Sequence, residues 1–446
     1  MYLLDVNAGS LLKIDQLIWD ILDLYNDFSR EEIILTLQAK YDKQQIEDGL
    51  AELEELIKEG VLLDQKNQSP NEMCSVKGDV IKALCLHIAH DCNLRCSYCF
   101  ACEGNFGGTA GLMSVETGKA ALDFLLAHSG KRHNCEVDFF GGEPLLNFSV
   151  LKEIVEYGKR IGHQRGKNIR FTLTTNAILL DQEVQDYLNK EGFSVVLSLD
   201  GRKETNDRMR VDKGNNGTYE RIVERIVPFV EGRNHTNYYV RGTYTRYNLD
   251  FGADVAHLVN LGFKQISVEP VIGSVEQDYA LREDDLPKIY AEYERLSQLY
   301  LELYDTDKEF SFFHFNINLD QGPCLPRRLV GCGAGYEYVA VTPEGDIYPC
   351  HQFVGRKEFR LGSVFTGIEN PAIREEFKNA NIYTKEGCAE CWARYYCSGG
   401  CHANAHLFNG SILKPDQLSC SIMKKRLECA LAVQGELLER SMRKYN

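Results

Sequence analysis

The chain has 446 residues, with 50 Lys and Arg against 65 Asp and Glu, a net charge of −15. That length allows two or three domains. The acidic balance speaks against non-specific binding to nucleic acid or an anionic membrane, which needs basic patches. A hydrophobic fraction of 44% is ordinary for a globular protein. There is no apolar run of about 18 residues to span a bilayer, and the N-terminal MYLLDVNAGS lacks the features of a secretory signal. The expected location is the cytoplasm, where thiols stay reduced. Against that setting the 16 cysteines are clustered: three between Cys92 and Cys99, eight between Cys324 and Cys420, and Cys74, Cys85, Cys102, Cys135 and Cys429 apart. Clustered thiols in a reducing compartment point to metal.

Residues 1–65 read as a small winged-helix-like domain. Two short strands flank the turn Asn7-Ala8-Gly9. Helical patterns follow at 15–27, 30–40 and 43–59, the second opened by a Ser29/Glu32 capping box. Gly60 stops the third helix, and Val61-Leu62-Leu63 is expected to return as a strand. With 15 acidic against 5 basic residues up to Asp64, DNA binding is disfavoured. Residues 66–80 read as a linker.

From 81 to 320 strand-like and helix-like stretches alternate. The strands are expected at Ala83–Ala89, Glu136–Phe140, Arg170–Thr174, Val195–Leu199, Tyr238–Tyr244 and Gln265–Pro270. Six βα repeats imply an α/β fold, a partial (β/α)6 TIM-like barrel with its chemistry at the C-terminal strand ends. The Gly-rich stretch 104–111 lacks the Lys-Ser/Thr of a phosphate-binding loop and is expected to be a mobile loop. From 321 the chain turns Gly- and Cys-rich, as in a domain organised by metal, and a last helix is expected at 417–444.

Directly after the first barrel strand stands Cys92-x3-Cys96-x2-Cys99. Three thiolates on one loop suit three irons of a [4Fe–4S] cluster and leave the fourth without a protein ligand. Zinc would need a fourth ligand, which His87 or His90 could supply. The spacing, with Tyr98 before the last cysteine, resembles the radical S-adenosylmethionine (SAM) enzymes. Gly141-Gly142-Glu143-Pro144 after the second strand resembles that family's GGEP motif. The resemblance implies that Cys92, Cys96 and Cys99 hold the SAM-cleaving cluster. It further implies that Gly141, Gly142 and Glu143 receive the SAM amine, that Thr175, Asn176, Ser198 and Asp200 end the third and fourth strands beside SAM, that Arg210 pairs its carboxylate, and that Tyr98 lies near the adenine. The implied chemistry is one-electron cleavage of SAM to a 5′-deoxyadenosyl radical that abstracts hydrogen from an unactivated carbon. Beyond cluster and SAM ligands no catalytic residue is assigned.

The second constellation runs Cys332-x12-Gly345-x4-Cys350, then Cys388-x2-Cys391-x5-Cys397-x3-Cys401, then Cys420 after eighteen residues. It resembles the seven-cysteine SPASM pattern of radical SAM peptide maturases. Carried over, it implies an outer auxiliary cluster on Cys388, Cys391, Cys397 and Cys420. An inner one would sit on Cys332, Cys350 and Cys401, with Cys324 a possible fourth ligand. If Cys324 does not bind, an open iron is left for a substrate thiolate. The implied cofactors are three [4Fe–4S] clusters and SAM.

The three parts together resemble the sactisynthase-type maturases of six-cysteine (SCIFF) peptides. The implied activity is installation of Cys sulfur-to-carbon thioether crosslinks in a ribosomally made Cys-rich peptide. Its leader would add a strand to the N-terminal sheet. Electrons would come from a flavodoxin or ferredoxin, in an anaerobe, with no nucleic-acid or membrane partner. Carbon–carbon crosslinking, formylglycine formation and epimerisation stay open within the family, and an iron–sulfur electron carrier outside it.

Overall fold

The computed structural model describes residues 1–63, 80–317, 319 and 325–445. Most of the expected linker, Cys74 and Cys324 lie outside the described residues.

The chain opens with a hairpin, β1 (Tyr2–Asp5) antiparallel to β2 (Ser10–Lys13). Three helices follow: α1 (Gln16–Tyr25), α2 (Arg30–Leu37) and α3 (Lys43–Lys58). Each is started by a side chain that accepts from its first turn: Asp15, Ser29 in a reciprocal box with Glu32, and Asp42 in one with Gln45. Their apolar faces meet in a core of Ile21, Ile33, Ile46, Leu50, Leu53 and Leu62. The strand expected at Val61–Leu63 does not form. The amides of Val61 and Leu62 turn back onto the Leu56 carbonyl at 3.0 and 3.3 Å, closing the helix end with donors a strand would need.

The barrel is a sheet of six parallel strands: β3 (Ala83–His90), β6 (Asn134–Gly141), β7 (Asn168–Thr175), β8 (Ser194–Ser198), β10 (Tyr238–Tyr244) and β11 (Gln265–Pro270), adjacent in that order. β3 is buried throughout and its sequence is apolar except for His87 and His90, whereas neighbouring strands alternate. The outer face is covered by α4 (Val115–His128), α5 (Phe148–Gln164), α6 (Gln182–Glu191), α7 (Lys203–Met209), α8 (Tyr219–Gly232), α9 (Phe251–Asn260) and α10 (Leu286–Leu303). Two short strands off this path, β4 (Leu94–Cys96) and β9 (Arg210–Asp212), pair antiparallel above it. β5 (Gly111–Leu112) pairs with the end of β3. Within the 104–111 stretch Phe106 is buried against the rings of His87 and His90, 4.5 and 4.9 Å between centroids, while residues 107–110 are exposed.

β12 (Ser311–Phe312) borders β11. β13 (Tyr338–Val341) pairs parallel with β3, so the Cys-rich segment extends the barrel sheet rather than standing apart from it. β14 (Asp346–Tyr348), β15 (Gly362–Ser363) and β16 (Gly367–Ile368) continue it antiparallel. The final helix, Gln417–Tyr445, packs along α10 and ties Gln434 Nε2 to the Phe315 carbonyl at 2.8 Å. Among the described residues no helix is long and apolar enough to cross a membrane.

Candidate active site and cysteine clusters

The C-terminal ends of the barrel strands surround a cavity of about 300 Å³. Cys92, Cys96 and Cys99 line it together. Their loop leaves β3 at Asp91 and is held in two ways. Antiparallel pairing of β4 with β9 sets Cys96 opposite Arg210, and the Cys99 amide donates to the Cys96 carbonyl at 3.0 Å. Cys92 Sγ accepts from the Leu94 amide at 3.4 Å and from Asn176 Nδ2 at 3.6 Å. Burial pushes the Cys92 and Cys96 thiols up to about 12 and about 11; charge from Glu143 adds for Cys92, while Arg210 opposes the rise for Cys96. Three sulfurs facing one cavity are the donor set of an iron–sulfur cluster with one open iron, and metal ligation supplies the positive charge that keeps them ionised. His87 and His90 do not complete a zinc site. Their rings bond each other at 3.1 Å beside Phe106, and neither lines the cavity. Among the described residues no group of His, Cys, Asp or Glu is arranged to hold a single metal ion.

Gly141 and Gly142 form the adjoining wall. The Gly142 and Glu143 amides donate to the carbonyls of Ala89 and Asp91, both at 2.8 Å, stitching this segment to the root of the cysteine loop. A Cβ on Gly142 would stand 2.1 Å from the Asp91 oxygen, and one on Gly141 2.2 Å from that of Ala89, with Gly141 at φ +124°. Only glycine fits at either position. The Glu143 carboxylate is fully buried behind this wall rather than on it. It accepts from the Leu145 amide (3.1 Å), the Thr175 hydroxyl (2.8 Å) and the Asn176 amide (2.8 Å). Burial raises it to about 7 against those hydrogen bonds and the nearby Arg210 charge. Its carboxylate therefore positions Thr175 and Asn176, and what the segment presents to the cavity is Gly141-Gly142.

Thr175, Asn176, Ser198, Tyr98 and Arg210 line the cavity; Asp200 does not. Asp200 is buried beneath it, taking the Tyr98 hydroxyl at 2.6 Å and the Thr243 amide at 3.1 Å, with Arg210 Nη1 4.0 Å away. It thus holds Tyr98 and Arg210 in place instead of facing a ligand. Arg210 Nη1 donates to the Tyr98 hydroxyl at 3.0 Å, and its buried Nε has no partner. A buried guanidinium with an unused donor fits the carboxylate of an amino-acid-like ligand.

The rest of the lining belongs to none of the motifs. It consists of Phe100 beside Cys99, Phe140 beside Gly141, and Arg241, Thr243, Glu269, Pro270, Val271, Ile272, His351 and Gln352, with Arg241 paired to Ser198 across β8 and β10. The signal was present: on a half-buried strand, alternation places Tyr239, Arg241 and Thr243 on one face.

The cysteines of the second constellation fall into two groups. Cys350 interacts with Cys401 and Cys332, and Cys401 with Cys332. Cys388 interacts with Cys397 and Cys391, and Cys420 with Cys397 and Cys388. Burial raises the thiols of Cys350, Cys388, Cys397, Cys401 and Cys420. The first group adjoins the cavity, because His351 and Gln352, next to Cys350, are on its wall. Lys385, 2% exposed, lies near both groups, its ammonium donating to the carbonyls of Gly399 and Gly400 at 2.8 and 3.3 Å.

Comparison with known proteins agrees with this arrangement. Residues 86–243 match the radical SAM superfamily, and residues 332–392 match the SPASM iron–sulfur cluster-binding domain. The chain is a radical SAM enzyme with a C-terminal SPASM domain, working with SAM and multiple [4Fe–4S] clusters. It is 24% identical over 332 residues to a cysteine-type anaerobic sulfatase-maturating enzyme of Clostridium novyi, covering 70% of this chain and 86% of that one. It is 22% identical over 452 residues to the radical SAM cyclopropyl synthase TigE of Paramaledivibacter caminithermalis, covering 93% and 89%. The structure of anSMEcpe with AdoMet and the Kp18Cys peptide superposes with a TM-score of 0.67 at 21% identity, covering 80% of this chain and 99% of that one. That of Streptococcus suis SuiB bound to its precursor peptide SuiA superposes with a TM-score of 0.53 at 16% identity, covering 93% and 94%. At these identities the two structures establish the fold alone.

Proposed function

We propose that this enzyme is a peptide maturase that installs Cys sulfur-to-carbon thioether crosslinks in a ribosomally made, Cys-rich peptide. The observation that carries the peptide reading is the N-terminal unit. Its hairpin and helices have their own core, and between β2, α1 and α3 lies a cavity of about 430 Å³ lined by Leu3, Leu12, Ile18, Leu53 and Leu56. Among the described residues β1 and β2 pair only with each other, so the hairpin offers a free edge for a leader strand, with the apolar groove for its side chains. TigE and SuiB cover nearly the whole chain, whereas anSMEcpe covers 80%.

In this reading Cys92, Cys96 and Cys99 hold the SAM-cleaving cluster, with Gly141, Gly142, Thr175, Asn176, Ser198, Tyr98 and Arg210 around SAM, and Glu143 and Asp200 behind them. Cys388, Cys391, Cys397 and Cys420 hold the outer auxiliary cluster. Cys332, Cys350 and Cys401 hold the inner one, whose fourth position is taken either by Cys324 or by the substrate thiolate. When bound, these groups supply a 5′-deoxyadenosyl radical for hydrogen abstraction, a metal site for the thiolate and a sink for the remaining electron. The protein orients SAM through Arg210, lines the cavity with the apolar side chains of Phe140 and Ile272, and admits the peptide beside His351 and Gln352. Electrons come from a flavodoxin- or ferredoxin-type donor.

A second reading, oxidation of a cysteine to formylglycine, is favoured by the sulfatase-maturating relatives. The test is mass spectrometry of a Cys-rich peptide after reaction with reduced holoenzyme and SAM. Thioether formation removes two hydrogen atoms and one alkylatable thiol per crosslink. Formylglycine formation replaces the thiol by an aldehyde that hydrazine reagents trap.

A further inference from the structure

The part of the cavity lining that comes from β10 and β11 carries charges that do not cancel. Arg241 lines the cavity from β10 with its side chain 56% exposed. Its one ion contact among the described residues is Glu269 Oε1, at 3.8 Å, beyond hydrogen-bond distance. Glu269 is already served from behind. His314 Nε2 stands 2.9 Å from its Oε1, and Arg426 Nη1, from the last helix, 3.4 Å from its Oε2. Two guanidinium groups therefore share one carboxylate. The imidazole facing Glu269, that of His314, is held below the ordinary histidine range first by burial and then by Arg426, against the opposing charge of Glu269. The rest of this wall (Thr243, Pro270, Val271, Ile272 and Gln352) offers no anion. In a chain of net charge −15, this corner is locally positive.

We propose that Arg241 is a specificity-determining residue that binds a carboxylate of the peptide substrate, next to the residue being modified. The proposal rests on the peptide reading above. The guanidinium fork matches a carboxylate in two parallel hydrogen bonds, which a lysine ammonium does not. Glu269, pinned by His314 and Arg426, gives the fork a fixed backing without using up its donors. The carboxylate comes from an Asp or Glu side chain of the substrate or from its C-terminus. SAM's own carboxylate is better served by Arg210, which stands opposite Cys96 in the β4–β9 pair and keeps a buried Nε without a partner.

The test titrates holoenzyme and SAM calorimetrically with four probes: acetyl-cysteinyl-aspartate amide, acetyl-cysteinyl-asparagine amide, and acetyl-cysteinyl-alanine as free acid and as amide. The acid of at least one pair binds about two- to fivefold more tightly than its amide, the size of a charge-assisted pair at a half-exposed guanidinium. The pair that responds names the source. Arg241→Gln removes the preference and Arg241→Lys keeps part of it. Equal binding of acid and amide, no binding of any probe, or a preference that survives Arg241→Gln overturns the proposal. So does a loss of SAM binding in Arg241→Gln with the acid preference intact, which assigns the residue to the cofactor. Binding is read without turnover, so failure of the peptide-maturase reading shows separately, as an unchanged peptide mass.

Discussion

Arg210 stands opposite Cys96 in the β4–β9 pair, and its guanidinium is tied through the Tyr98 hydroxyl to Asp200. One short ladder thus fixes a cluster cysteine and a buried cation relative to each other. Arg210→Gln is expected to weaken SAM binding by about tenfold or more, from the loss of a charge-assisted contact, while iron content stays at the wild-type level. Equilibrium dialysis with SAM and iron analysis check this together. Asp200→Asn keeps the shape but frees Arg210, and a smaller loss is expected.

Gly142→Ala drives a methyl into the Asp91 carbonyl. Backbone on both sides leaves no side chain to move aside, so the Asp91–Cys99 loop must shift. The expected outcome is loss of the SAM-cleaving cluster with the SPASM iron retained. Iron and sulfide analysis of the variant, with electron paramagnetic resonance of the reduced protein in the presence and absence of SAM, reads the two populations apart.

Glu143 is raised from the ordinary carboxylate value of 4.5 to about 7, first by burial. The folded state therefore holds this proton more tightly than the unfolded chain. Its contribution to stability is fully present below the unfolded value and is lost as pH rises through about 7. In the protein without cofactors, the melting temperature of wild type relative to Glu143→Gln falls between about pH 4.5 and 7. A constant difference across that window contradicts the assignment. The total swing is at most about 3 kcal/mol.

Lys385 is a cation near both SPASM cysteine groups. Removing it favours the more oxidised cluster states. Lys385→Met is expected to lower the auxiliary reduction potentials by on the order of 100 mV, the effect of a unit charge several ångströms away at an effective dielectric near 20. A potentiometric titration followed by electron paramagnetic resonance checks the sign as well as the size.

The barrel was legible because each of its six strands is a short apolar or alternating run between helical stretches, and the cysteine spacings named their own chemistry. Other features depended on the folded backbone. Val61–Leu63 has strand composition, but its amides close the preceding helix. Glu143 and Asp200 were rightly placed at strand ends, yet sequence position does not say which way a carboxylate turns. Both turn inward, Glu143 because three neighbouring donors wait there, Asp200 because Tyr98 and the Thr243 amide do. Arg241 and Glu269 belong to no motif and entered the site through strand alternation and the approach of the C-terminal helix. The division of the SPASM cysteines into two groups follows the loops between Cys388 and Cys401, which send Cys401 to Cys350 and Cys397 to Cys420.

The central claim is that the cavity serves hydrogen abstraction on a Cys-rich peptide and ends in a sulfur–carbon bond. The most direct measurement is high-resolution mass spectrometry of that peptide, before and after thiol alkylation, alongside quantified 5′-deoxyadenosine. Loss of two hydrogen atoms per crosslink, with one fewer alkylatable thiol each time and matching 5′-deoxyadenosine, is the predicted result. Loss of hydrogen with every thiol still free, or a trapped aldehyde in place of a thiol, contradicts it.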